Sequence, residues 1–219
     1  MAVAQQEQVL ESVQEKINQF TTETVLRKFQ IGTQTDTIYV NLNYLAELSE
    51  YFHILRTGAY TEKSSKKVEL DDVYTDELVV FLSYVCPDAF EFDRTINQHN
   101  IYPLAYFSDR LIFPWVKQEI KKYIKSDEFK EEIYEIDALI NLCCLLHSQC
   151  YAPDDIDPVF KKIARLQDST AVDKVVEAIP DRDVRLYFRE RIIHFRPYLY
   201  QPRPQSFFDW NDTRARLFF

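Results

Sequence analysis

The chain has 219 residues, of which 46% are apolar and 15% aromatic, a composition that suits a buried core and excludes a disordered chain. Its formal net charge is −9 and no segment is strongly basic, which argues against nucleic acid and membrane surfaces as partners. We therefore expect the partners to be other proteins.

The start of the chain has no features of a targeting segment or a membrane anchor. Residues 1–20 lack the basic start and the apolar core of a secretory signal. The longest apolar runs, Leu78–Cys86 and Ala138–Leu146, reach nine residues and are interrupted by Ser83 and Asn141, whereas a membrane span needs about 20. Three of the four cysteines lie in one apolar stretch, which is typical of reduced core thiols. These features predict a soluble protein of the cytoplasm or nucleus.

Residues 3–20 are predicted to form an amphipathic helix. Val9, Val13, Ile17 and Phe20 follow one another at steps of four, four and three residues, which places them on one helical face. A lone helix of this length is marginal in water, so this face must pack against something. It packs either on its own domain or across a dimer interface, and the four residues are our candidate dimer contacts.

Short strands are predicted next. Thr24–Ile31 and Thr37–Asn41 are rich in β-branched and aromatic residues, with a turn between them. One helix then runs from the cap at Asn41 to about Gly58. A polar loop over residues 63–67 precedes a third strand, Lys67–Leu70.

Helices dominate the rest of the chain. The periodicity predicts them over Tyr74–Cys86, Asn100–Arg110, Phe113–Ser126, Asp127–Gln149, Asp155–Leu166, Thr170–Ile179 and Asp181–Phe195. Beyond Arg196, three prolines break the helical pattern and favour extended chain.

The order of these elements resembles a BTB/POZ domain over residues 23–125. Three segments carry the resemblance: the strand-to-helix segment Ile38–Phe52 with Leu45, Ser49 and Phe52 at fixed spacing, the strand and turn Lys67–Val73, and the helical pair Asn100–Val116. The resemblance implies an α+β fold in which helices flank a small three-stranded sheet, followed by an all-helical C-terminal extension. We divide the chain into an N-terminal helix (1–22), a BTB/POZ domain (23–126), a helical extension (127–196) and a tail (197–219).

BTB domains are assembly modules, and one large group delivers substrates to cullin-3 RING ubiquitin ligases. Members of that group carry an apolar residue, any residue and a glutamate in the loop before the third strand. Tyr60, Thr61 and Glu62 match that pattern and distance, so the resemblance implies a contact with the N-terminal region of cullin-3. The alternative for the loop is that Tyr60 packs back on Phe52 or Leu55. The alternative for the protein is a homo-oligomeric BTB scaffold without a cullin contact.

We expect neither catalysis nor a metal or other cofactor. The only glycines, Gly32 and Gly58, are too far apart in the chain to form a Gly-x-Ser-x-Gly nucleophile turn. Cys143, His147 and Cys150 share a helical face, but the two cysteines would lie about 10 Å apart along the axis, too far for one zinc ion. A protein-interaction module is the remaining class.

The C-terminal part supplies the candidates for binding an unknown client protein. Residues 127–196 match a family helical extension in position and helicity only. The tail carries aromatic clusters, which either fold back over the helical region or dock on another chain; the candidate partner-binding residues are Tyr198, Tyr200, Phe207, Phe208 and Trp210.

Overall fold

The structure, a computed structural model, describes residues 2–58, 61–86, 93–166 and 168–196, with no side-chain description for residues 2–10, 61 and 63. The elements of the first half are α1 (Ala2–Phe20), β1 (Phe29–Gly32), β2 (Thr37–Val40), α2 (Leu42–Leu48), α3 (Glu50–Thr57), α4 (Thr61–Ser65), β3 (Lys67–Glu69), α5 (Thr75–Val85), α6 (Ile101–Arg110) and α7 (Pro114–Lys125). The second half contains α8 (Asp127–Glu131), α9 (Ile136–Ser148), α10 (Pro153–Ala164), α11 (Ser169–Glu177) and α12 (Arg182–His194). The predicted fold class, a small three-stranded sheet with flanking helices and a helical C-terminal part, is confirmed.

The sheet has the strand order β2-β1-β3, so β2 is an edge strand. β1 pairs antiparallel with β2, from Phe29 opposite Val40 to Gly32 opposite Thr37, and parallel with β3. The expected start of the first strand at Thr24 is wrong, because residues 24–27 form a turn closed by a 3.2 Å bond from Thr24 N to Arg27 O. β2 ends at Val40, so an earlier start of β1 would have no partner there.

The helix predicted from residue 42 to Gly58 is divided at Ser49. Ser49 has extended backbone angles (φ −140°, ψ 130°), and its hydroxyl accepts a hydrogen bond from the Phe52 amide as the N-cap of α3. The same hydroxyl donates to the carbonyl of Leu111, 2.5 Å away. A tertiary hydrogen bond therefore holds the break. The loop expected over residues 63–67 is also partly helical, since α4 continues to Ser65.

The long helix predicted over Asp127–Gln149 is divided in the same way. α8 ends at Glu131, and Glu132 is extended (φ −63°, ψ 145°). The ammonium group of Lys162 donates to the carbonyls of Lys130 at 3.0 Å and Glu132 at 2.6 Å, and to that of Phe129. These bonds satisfy the carbonyls that a helix end leaves open, so a residue of α10 stabilises the end of α8.

One continuous cluster of buried residues connects both halves of the chain. At α7 and α10 the contact includes a buried carboxylate, Asp155, which pairs with Lys121 at 2.8 Å and Lys125 at 2.6 Å. Hydrogen bonds from these two lysines lower the pKa of the Asp155 carboxyl below its ordinary value. The helical extension is therefore attached to the sheet-containing half by apolar packing and by this cluster of one carboxylate and two lysines.

Candidate functional site

An apolar groove lies between α3, α4 and the turn that joins α6 to α7. It has a volume of about 270 Å³, and its lining residues are Tyr51, Ile54, Leu55, Glu62, Val68 and Ile112. Ile54 is 41% exposed and Ile112 is 40% exposed, so two large aliphatic side chains remain partly in water at this surface. Exposed aliphatic groups around a concave surface are typical of a site that binds another protein.

The amphipathic helix α3 forms one wall of the groove. Phe52 is fully buried and Leu55 nearly so, because they face the core. Ile54 lies on the solvent side, and Tyr51 packs edge-on against Phe52 with 5.2 Å between the ring centroids. Burial raises the pKa of the Tyr51 hydroxyl, which stays a neutral hydrogen-bond donor at physiological pH.

The opposite wall is a strained turn at Ile112. This residue has φ 54°, in the left-handed region that β-branched residues rarely occupy, and such strain costs about 1–3 kcal/mol. The turn is held by a 2.8 Å bond from Phe113 N to the Ser108 carbonyl and by the Ser49 hydroxyl on Leu111. These hydrogen bonds therefore hold Ile112 in its strained conformation, with its side chain lining the groove.

The predicted cullin-binding tripeptide lies partly beside this groove. Tyr60 is outside the described residues, so neither its binding role nor its alternative packing is tested. Thr61 begins α4, without a described side chain, and the half-buried Glu62 lines the groove. The sequence pattern therefore identified one groove residue and missed Ile54 and Ile112. Ile112 lies between the predicted helices Asn100–Arg110 and Phe113–Ser126, two residues before Pro114, and this position was the available signal for it.

The predicted dimer contacts lie on α1, which packs along its own domain. Phe20 is 1% exposed and belongs to the core of its own chain. Ile17 packs partly buried against the same core, Val13 is half-buried, and the side chain of Val9 is outside the described residues. The C-terminal end of α1 therefore packs on its own domain, which is one of the two alternatives for this helix. A role of the remainder of α1 in a dimer interface stays a prediction.

Two exposed apolar side chains lie beside this helix, at positions that the helical periodicity of residues 3–20 did not identify as dimer contacts. Val25 is 84% exposed and Leu26 75% exposed, in the turn between α1 and β1. Both residues line a surface hollow with Val40, the last residue of the edge strand β2. An apolar surface next to an edge strand of the described sheet is suited to contact with another chain.

Cys86 and Cys143 are buried, Cys144 is half-buried and Cys150 is exposed. Cys143 is completely buried, and burial raises the pKa of its thiol; the pKa of the Cys86 thiol is raised to about 12 for the same reason. Both thiols are protonated at neutral pH, a form that is neither a good nucleophile nor a metal ligand. Within the described ranges, no three His, Cys, Asp or Glu residues are grouped as metal ligands would be.

The predicted tail residues, Tyr198, Tyr200, Phe207, Phe208 and Trp210, lie outside the described residues, and their role stays a prediction. Among the helices that are described, none combines the length and apolar character needed to cross a membrane.

Comparison with known proteins gives one family. The family model of the BTB/POZ domain matches residues 17–128, just over half of the chain. No curated protein matches the chain. The matched range includes the sheet, the groove beside Glu62 and the exposed residues Val25 and Leu26.

Proposed function

Because the chain belongs to the BTB/POZ family, a family of protein-interaction modules, we propose that it is a substrate adaptor of a cullin-3 RING ubiquitin ligase. The observation that carries the proposal is the groove beside Glu62. In this proposal the N-terminal region of cullin-3 binds the groove, a homodimer doubles the valency, and the region after residue 126 binds a client protein. The function is to bring client and ligase together and raise their effective concentration.

The groove offers the contacts that such a partner needs. Burying a fully exposed aliphatic side chain contributes about 1.5–3 kcal/mol, so burying the exposed two fifths of Ile54 and of Ile112 contributes on the order of 1 kcal/mol each. Glu62 can accept charge-assisted hydrogen bonds from a basic or amide group of the partner, which fixes the register of the complex. The strain at Ile112 supports a functional role, since strained backbone is concentrated at binding and catalytic sites.

The test is binding of the purified chain to the N-terminal region of cullin-3, measured by titration calorimetry. We expect micromolar or tighter binding, weakened at least tenfold (about 1.4 kcal/mol) by Tyr60→Ala with Glu62→Ala, and also by Ile112→Asn. Asparagine tolerates the left-handed conformation, so Ile112→Asn removes the side chain while relieving backbone strain.

Matched substitutions away from the groove serve as controls. Asp173→Ala on α11 and Ile133→Asn after α8 alter an exposed acid and an exposed isoleucine, and both should leave binding unchanged. Absence of binding by the wild-type chain would refute the adaptor proposal. The scaffold without a cullin contact would then be the remaining BTB function.

The homodimer is proposed on the exposed surface formed by Val25 and Leu26. An isolated domain gains nothing from keeping two aliphatic side chains 84% and 75% exposed, whereas a second copy could bury them. The edge strand β2 lies beside them and can extend its pairing to another chain. This surface serves either candidate function, because the adaptor and the scaffold are both proposed as oligomers.

Replacing Val25 and Leu26 together by aspartate should halve the mass measured by light scattering. Each substitution places a charge where the dimer would exclude water, and neither residue belongs to the core, so the monomer should stay folded. Ile193→Asp, at a residue that is 68% exposed on α12, should not change the mass. Deleting residues 1–20 is a weaker test, because it removes the core residue Phe20. An unchanged mass in the double variant would exclude this surface.

A further inference from the structure

A second, larger groove lies in the helical extension, between the end of α8, the segment that follows it and α10. It has a volume of about 480 Å³, in the range of pockets that enclose a ligand. Phe129, Tyr134 and Leu166 line its interior, and Ile133 at its rim is 82% exposed. The surface of this groove, which we call the α8–α10 groove, is mainly apolar and has room for aromatic side chains.

The rim of the α8–α10 groove is basic, since its lining residues include five lysines and arginines and one acid, Glu132. Lys125 and Lys130 are each paired with an aspartate, and Lys162 is bound to three carbonyl groups. Lys161 and Arg165 are exposed and make no ion pair with any residue that the structure describes. The groove therefore offers two positive charges to an occupant, which favours an acidic segment with apolar side chains.

The described chain ends at the edge of this groove. The ring of Phe195 lies over the ammonium group of Lys161, 5.1 Å from nitrogen to ring centroid. The next residue, Arg196, has a buried Nη2 group without a hydrogen-bond partner in the described part of the chain. Residues 197–219 therefore continue from a point in contact with the basic rim.

The composition of this tail matches the groove. Phe207, Phe208 and Trp210 are three aromatic residues around an acid, Asp209. Phe207 lies 11 residues beyond Arg196, and a connection of that length spans at most about 40 Å when extended. Three prolines in the connection favour extended chain and reduce the entropy lost when it is ordered.

We infer that residues 207–210 of the tail occupy the α8–α10 groove of their own chain, with the aromatic side chains in its apolar interior and Asp209 paired with Arg165 or Lys161. The groove is then a peptide-binding site with a built-in ligand, and a client with the same chemistry would have to displace the tail. This inference does not depend on binding to cullin-3.

Fluorine NMR of the full chain labelled with fluorotryptophan tests the inference. The two tryptophans, Trp115 and Trp210, give separate signals that Trp210→Phe assigns. A soluble nitroxide should broaden the Trp210 signal several-fold less in the full chain than in a synthetic peptide of residues 197–219. Ile133→Asp and Arg165→Glu should each raise the broadening toward the peptide value.

Two further variants and a dilution series separate the alternatives. Ile193→Asp, an exposed residue near the chain exit but outside the groove, should leave Trp210 protected, and adding Asp209→Arg to Arg165→Glu should restore protection by reversing both charges. Protection should not depend on concentration. The inference is overturned by peptide-like broadening in the wild-type chain, by protection that both groove substitutions leave intact, or by loss of protection on dilution, which would indicate the tail of a second copy.

Discussion

Replacing Phe81 by alanine should lower the free energy of unfolding by about 4 kcal/mol, because it removes a large side chain from a packed core and leaves a cavity. Phe81 on α5 is fully buried. Its ring centroid lies 5.5 Å from that of Phe107 and 5.1 Å from that of Phe113, so one substitution removes two aromatic contacts. Urea denaturation followed by circular dichroism measures the change.

Tyr74→Ala is the matched control for this substitution. Tyr74 immediately precedes α5, is 54% exposed and makes no capping hydrogen bond with its side chain. Its removal should change the free energy of unfolding by less than about 0.5 kcal/mol. Equal losses for the two variants would show that Phe81 does not have the packing described here.

The second large effect is expected from Ser49→Ala, about 3 kcal/mol of lost stability, from a missing helix cap and an unpaired buried carbonyl. Ser49 is 3% exposed. Its hydroxyl accepts from the Phe52 amide at 3.3 Å and donates to the Leu111 carbonyl at 2.5 Å. Alanine removes both bonds from a site that water does not reach. The loss is measured as a decrease in the urea concentration at the midpoint of unfolding, while the dependence of the free energy of unfolding on urea concentration stays unchanged.

Ser126→Ala separates the two contributions. Ser126 is also an N-cap, and its hydroxyl accepts a hydrogen bond from the Phe129 amide at 3.3 Å. It is only half-buried, and among the described contacts its hydroxyl makes no hydrogen bond to a distant part of the chain. This variant should lose about 1 kcal/mol, the cost of a cap alone. A loss as large as that of Ser49→Ala would mean that the bond to Leu111 contributes little.

Local signals in the sequence were sufficient for most element positions. The helix predicted over Phe113–Ser126 corresponds to α7, because Pro114 suits a first helical turn and Ser126 caps the next helix. The turn between the first two strands was also predictable, since Gly32 and Asp36 are turn formers, and residues 33–36 close a 2.9 Å bond from Thr33 N to Asp36 O. These features depend on neighbours within a few residues.

The two divided helices were not predictable in that way. Ser49 interrupts a continuous apolar pattern, and the bond that holds the break comes from Leu111, 62 residues away. The end of α8 depends in the same manner on Lys162, 30 residues beyond Glu132. Helical periodicity describes one element at a time, so it contains no information about a hydrogen bond to a distant one.

For the candidate site too, some features could be predicted from the sequence and others depend on tertiary packing. Composition, charge, the order of the elements and the position of Glu62 could be obtained from the amino-acid sequence, because each is a property of residues or of their spacing. The exposure of Ile54 and Ile112, and of Val25 and Leu26, depends on which neighbouring elements cover them. An apolar side chain in a helix or turn is equally consistent with a core and with a surface. Packing between elements far apart in the chain therefore determines which residues are left for a partner.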